Sequence, residues 1–173
     1  CQDPLLPASV DLYLWVPHLA DGFAERAEQQ CQSLSVHIPE HLVIETDETY
    51  LERIMSELLH NACKYTPSGE QIIVTAQCLD SQTNVLNQHT KQSPFPGGVA
   101  NAARGVSLPP LSGSPQGGQR VQICVTNTGI EIPAEECDRI FEKFYRIPRH
   151  DLWKQGGTGL GLALVQRLSH QLG

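Results

Sequence analysis

Between Asp47 and Thr66 the apolar residues fall at Leu51, Ile54, Met55, Leu58, Leu59 and Ala62. Steps of three and four keep them on one side of an α-helix, so the spacing predicts a helix with a single buried stripe. Asp47 is placed to accept from the free N–H groups of the first turn, and Pro67, Ser68 and Gly69 end the helix. A one-sided helix needs an apolar surface to lie on, and the flanking sequence supplies strands. Ile72, Val74, Ala76 and Cys78 alternate after the helix. Leu34, Val36 and Ile38 alternate before it, and residues 42–44 read as a further short strand. Helices layered on a sheet follow from this combination.

The rest of the chain extends the pattern. Val10, Leu12, Leu14 and Val16 alternate with Asp11, Tyr13 and Trp15, which predicts a strand over 10–16. Pro17 then opens a helix carrying Leu19, Phe23, Ala27 and Cys31 at helical spacing. Val121, Ile123 and Val125 predict a strand that pairs with 72–78. Residues 80–119 between these two strands are punctuated by proline and glycine and carry no apolar period, so they are expected to form a mobile insertion. Pro133 is expected to begin a short helix, and Gly157-Thr158-Gly159-Leu160-Gly161 opens another, with Leu160, Leu164 and Leu168 on one side. The fold expected is α+β, a two-layer sandwich with helices on one face of a mixed sheet. Residues 1–9 read as a linker and 10–173 as one domain.

Composition removes several functions. Twelve Lys+Arg against 19 Asp+Glu give a net charge of -7, which disfavours a nucleic-acid partner. No apolar run approaches the roughly 20 residues of a membrane span, so no direct membrane contact is expected of this stretch. The six cysteines form no C-x-x-C pair and fit reduced thiols, mostly in the core of a cytoplasmic protein. His37 and His41 are separated by Pro39 and share no helix face, so they predict no metal site. A start at Cys1 rather than Met is read as the mark of a longer protein.

On the 48–66 helix, Glu57, Asn61 and Lys64 share a face away from the apolar stripe. A carboxylate, an amide and an ammonium on one face suit a metal-bound polyphosphate. Glu57 and Asn61 offer oxygen to Mg²⁺, and Lys64 offers point charge to phosphate. A plain solvated face is the alternative. The glycine-rich turn at 157–161 leads into a helix N-terminus, where free N–H groups favour anions. No Lys-Ser/Thr pair follows Gly161, so it is not a Walker A loop, and residue 162 is Leu where the dinucleotide fingerprint needs another residue.

Taken together, four segments resemble the boxes of sensor histidine kinases, in that family's order. Residues 57–66 (Glu57 to Thr66) resemble the N box, Asn127-Thr128-Gly129 the first glycine box, Phe141 to Arg146 the F box, and Gly157 to Gly161 the second glycine box. The resemblance implies the ATP-binding catalytic domain with the Bergerat-type fold shared by gyrase, Hsp90 and MutL ATPases. By that resemblance Asn61 ligates Mg²⁺, Lys64 contacts phosphate, and Tyr65 walls the nucleotide pocket. Asn127 reads the adenine amino group, Gly129 lets the backbone approach the base, and 147–156 form an ATP lid flanked by Arg146 and closed by Gly157, Thr158, Gly159, Leu160 and Gly161. Glu57, Asn61 and Lys64 are the residues implied for catalysis. The implied partners are ATP, a dimerising phosphoacceptor domain of the same protein, which makes the full-length protein a homodimer, and a response-regulator receiver domain. Departures are Asn127 for the usual Asp, Glu131 for a glycine, and Glu57 for the first Asn of the N box. The family continues into two more strands, so the sheet is expected to be cut short at Gly173. No phosphoacceptor histidine motif is present. The alternatives are an ATPase of the same fold using Glu57 as general base, and a degenerate module kept for protein contacts.

Overall fold

The computed structural model describes residues 5–79, 120–148 and 156–172. Their order is β1 (Pro7–Asp11), α1 (Leu12–Gln29), β2 (Ser33–His37), β3 (Val43–Asp47), α2 (Glu48–Tyr65), β4 (Gln71–Leu79), β5 (Arg120–Asn127), 3₁₀ turns at Ala134–Glu136 and Arg139–Phe141, and α3 (Gly161–Leu172). β2 runs parallel to β4 and β4 antiparallel to β5, so the sheet is mixed, in the order β2-β4-β5. β1 and β3 form a separate antiparallel ribbon, with Val10 opposite Ile44. The expected α+β sandwich is the fold, with the mixed sheet reduced to three strands and the ribbon beside it.

The stripe that defines α2 is buried at every predicted position. It meets Leu12 and Val16 of α1, Val74 and Ala76 of β4, Val121 and Ile123 of β5, and Val165 and Leu168 of α3 in one cluster. Each fully buried Leu, Ile or Met is worth about 1.5–3 kcal/mol, against about 1 kcal/mol for a helix cap. Burial therefore places α2 and the cap only trims its start. Asp47 is that cap: Oδ1 accepts from Tyr50 N at 3.1 Å, while Oδ2 accepts from Leu6 N at 2.9 Å and ties the N-terminal segment down. At the other end, buried Gln32 donates from Nε2 to the carbonyls of Cys63 and Thr66. These are groups that the last helical turn leaves unpaired.

Four expectations are corrected. The strand over 10–16 ends at Asp11, and α1 begins at Leu12. Leu12 and Val16 fit a period of two and equally a period of four. Asp11 decides between them by accepting from Tyr13 N at 3.0 Å and starting a helix. Leu12, Val16 and Ala20 are buried, while Leu14 is 67% exposed. Pro17 accordingly sits inside α1 instead of opening it. The Tyr13 carbonyl loses its helical partner there, but Tyr13 is exposed and water can serve it. The short third strand is displaced to Val43–Asp47 and runs directly into α2. The helix expected after Pro133 is only two 3₁₀ turns with no buried residue, because a segment without an apolar stripe has nothing to hold a longer helix.

The five cysteines among the described residues are free, and of these only Cys63 is a core residue. Cys124 and Cys137 are half-buried, and Cys31 and Cys78 are exposed. The buried alternation of β4 stops at Ala76, so Cys78 lies beyond the layer packed on the strand. Burial pushes the Cys63 and Cys124 thiols up, which keeps them protonated and poor as nucleophiles.

The insertion expected at 80–119 lies outside the described residues. Its two ends do not: Leu79 and Arg120 are register partners at the end of the β4–β5 pair. A short turn can therefore join the strands. Replacing 80–119 by an Asn-Gly turn is expected to leave the unfolding midpoint and nucleotide affinity unchanged or raised. An unfolded product by circular dichroism would mean that the segment belongs to the core.

Candidate functional site

Glu57, Asn61 and Lys64 project from the side of α2 away from Met55 and Leu59, and all three are half-buried. The face is partly covered, which a freely solvated helix face would not be. The cover is the 157–161 turn at the start of α3. A Cβ on Gly161 would stand 2.8 Å from Glu57 Oε2 and 3.5 Å from Asn61 Nδ2, and one on Gly157 would run into Lys64 Nζ. Two motifs far apart in sequence thus meet face to face.

The charges on this face are ordered by short contacts. Glu57 Oε1 pairs with Arg53 Nη2 at 2.9 Å, leaving Oε2 toward Gly161. Lys64 Nζ donates to Tyr65 Oη at 2.9 Å and lies 4.6 Å from the centre of that ring. Above them, the first turn of α3 offers free backbone N–H groups and the positive end of a helix. An ammonium and a helix N-terminus suit phosphate oxygens. The carboxylate and amide oxygens of Glu57 and Asn61 form a hard donor set that fits Mg²⁺, which in phosphate sites takes only one or two protein ligands. No group of three His, Cys, Asp or Glu residues able to hold a metal occurs among the described residues.

The 127–129 turn, the segment resembling the first glycine box, is held by the chain that follows α2. Asn127 ends β5 opposite Ile72, on the strand face shared by Val121 and Ile123. Thr128 N donates to Gln71 O at 2.9 Å, and Thr128 Oγ1 accepts from Gln71 N at 2.9 Å and donates to Glu70. Gly129 has φ +76°, and the space a Cβ would take is filled by Glu70 Cγ and Cδ.

The segment from 141 to 146 buttresses the glycine turn. Phe144 N donates to Gly159 O at 2.9 Å. Gly159 has φ +71°, and a Cβ there would lie 2.8–2.9 Å from Phe144 Cα and C and Tyr145 O. Phe144 itself has φ +66° and is 72% exposed. Tyr145 donates to Glu136, and this bond pushes the phenol above its ordinary value; the Arg139 guanidinium lies 4.2 Å from the ring centre. Arg146 and Tyr65 are half-buried, whereas Thr158 and Leu160 are exposed. Residues 149–155, most of the expected lid, lie outside the described residues. A groove of about 780 Å³ lined by Tyr13, Pro17, His37, Pro39 and Gln77 contains none of these residues.

Sequence reasoning missed Arg53, Glu70 and Thr128. Arg53 was detectable, because it stands four residues before Glu57 on the same helix. Glu70 was not, since only the fold brings it to Gly129.

Comparison with known proteins shows the family. The family described as histidine kinase-, DNA gyrase B-, and HSP90-like ATPase matches residues 46–173. The sensor protein VanS of Enterococcus faecium is 27% identical over 169 residues, covering 98% of this chain and 34% of VanS. The sensor histidine kinase CusS of Escherichia coli K12 is 30% identical over 122 residues, covering 70% of this chain and 18% of CusS. The chain therefore spans about a third or less of these relatives. Full-length ShkA, solved with AMPPNP, shares the fold at TM-score 0.65 and 23% identity, covering 98% of this chain and 27% of ShkA. No helix among the described residues is long and apolar enough to cross a membrane. With the profile match spanning α2, β4, β5 and α3, the chain belongs to the histidine kinase-, DNA gyrase B- and HSP90-like ATPases, as an ATP-binding domain of the sensor-kinase kind.

Proposed function

We propose that this domain binds Mg-ATP between α2 and the 157–161 turn. Within a longer, homodimeric protein it would deliver the γ-phosphate to a histidine on a dimerising domain, from which a response-regulator aspartate receives it. The observation that carries the reading is the placement of Glu57, Asn61 and Lys64 directly beneath the glycine-rich start of α3. Lys64 would neutralise phosphate charge from below while the free N–H groups of α3 hold phosphate oxygens from above. Asn61 and Glu57 would hold Mg²⁺, which lowers the charge barrier to phosphoryl transfer. Asn127 would meet the purine edge from the end of β5, beside the turn in which Gly129 accommodates Glu70. ShkA's crystallisation with an ATP analogue supports the nucleotide class, and the name of CusS, a sensor histidine kinase, supports the kinase setting.

The testing experiment is calorimetry of ATP with and without Mg²⁺. Asn61→Ala is expected to weaken Mg-ATP binding by at least the roughly tenfold lost when a group supporting a metal ligand is removed. Mg-free binding should stay near wild type. Equal Mg-ATP affinity with and without Asn61 would end the assignment.

A further inference from the structure

Glu70 lies on no motif, yet it links the segment that leaves α2 to the 127–129 turn. Its backbone is fixed on the α2 side, with Glu70 N donating to Pro67 O at 3.2 Å and Ser33 N donating to Glu70 O at 3.1 Å. The neighbouring Gly69 N donates to Cys31 O at 2.7 Å. Its side chain is fixed on the β5 side. The carboxylate takes the hydroxyl proton of Thr128, whose oxygen is already committed to Gln71 N, and the Cγ and Cδ atoms occupy the space beneath Gly129.

We infer that Glu70 is a positioning residue that locks the 127–129 turn and thereby sets purine selectivity through Asn127. The inference rests on the reading of Asn127 as the residue that meets the base. The physical argument is one of direction. Thr128 has a single hydroxyl proton, and with Gln71 N donating to its oxygen that proton is directed to Glu70. This three-way arrangement fixes the Thr128 rotamer, and Thr128 N–H to Gln71 O fixes the backbone beside it. Asn127, one residue earlier, then presents its amide from a defined position on the opposite strand face. Its amide can otherwise turn either oxygen or NH₂ to a base, so selectivity depends on how rigidly the turn is held. Glu70 acts through the turn, with its Cγ and Cδ against Gly129 and its carboxylate on Thr128.

The test measures ATP and GTP affinities by calorimetry for wild type, Glu70→Ala, Glu70→Gln, Thr128→Val, Thr128→Ser and Asn127→Ala, with the melting transition of each. Glu70→Ala and Thr128→Val are expected to shrink the ATP/GTP affinity ratio by about tenfold, the effect of losing one charge-assisted hydrogen bond. Glu70→Gln and Thr128→Ser keep an acceptor and a donor and should restore the ratio. The Mg²⁺ dependence supplied by Asn61 should not move in any of them. If Asn127→Ala changes the ratio while Glu70→Ala and Thr128→Val leave it at the wild-type value, the locking role is wrong and the base-reading role stands. If Asn127→Ala also leaves the ratio unchanged, the base-reading role fails and the inference falls with it. Should Glu70→Ala fail to fold, Thr128→Val, which is nearly isosteric, carries the same comparison.

Discussion

Gly159→Ala is expected to weaken Mg-ATP binding about a hundredfold, while Gly22→Ala, in α1 and outside the site, leaves it at the wild-type level. The difference is steric. Gly159 has φ +71°, a left-handed conformation that costs an L-residue roughly 1–2 kcal/mol. Its added Cβ would also meet Phe144 Cα and C and Tyr145 O at 2.8–2.9 Å. Those are backbone atoms, so no side chain can swing aside, and the turn or the 144–145 segment must shift. Either shift strains the bond from Phe144 N to Gly159 O and moves the start of α3 off Lys64 and Glu57. A displacement of about 1 Å in a positioning element is worth about 10²-fold. Gly22 has nothing within 4 Å of its Cβ position, so it controls for glycine replacement as such. Calorimetry beside a thermal melt reads both effects. Equal affinities for the two variants would mean that the turn does not set the site.

This expectation draws on contacts that no sequence pattern contains. The fold itself was readable where one element had one face to bury. The α2 stripe, the alternation of β4 and β5 and the pairing of those two strands all follow from where apolar residues must go. The reading failed where two periods coincided: Leu12 and Val16 serve a strand and a helix alike, and only the Asp11 cap separates them. It failed again after Pro133, where local turn signals had no apolar stripe to extend them.

The site was legible in part. Glu57, Asn61 and Lys64 could be placed on one helix face by arithmetic, but not what lay over them. That required α3 to return across α2 and set the 157–161 turn on this face. Glu70 and Thr128 were invisible for the same reason, since their bond links positions 58 residues apart. Periodicity reports burial along one element and says nothing of which loop arrives from elsewhere.

Glu57→Gln is expected to retain Mg-ATP binding and to slow phosphoryl transfer in the full-length protein by roughly 10²–10⁴-fold, the usual effect of losing a general base. The carboxylate is one helical turn before Asn61, and its Oε2 faces Gly161, the side on which phosphate should lie. Arg53 holds the other oxygen at 2.9 Å, which fixes the direction in which Oε2 points. The glutamine amide is nearly isosteric with the carboxylate and keeps an oxygen for a metal, so binding should survive. It cannot accept a proton from an attacking histidine N–H or water, so the chemical step should not survive. The Arg53 pair is partly exposed, with side chains 60% and 24% accessible, and such a helix pair is worth only about 0.3–0.5 kcal/mol. Its loss in Glu57→Gln therefore cannot account for a rate change of this size through stability. Arg53→Ala separates orientation from basicity, because it leaves the carboxylate present and should slow transfer far less than Glu57→Gln. Single-turnover measurements of phosphohistidine formation and of free phosphate decide the case. Loss of phosphate release alone would favour water activation, and loss of both would favour a base common to the two acceptors. Transfer by Glu57→Gln at the wild-type rate would leave Glu57 with no more than a structural part on α2.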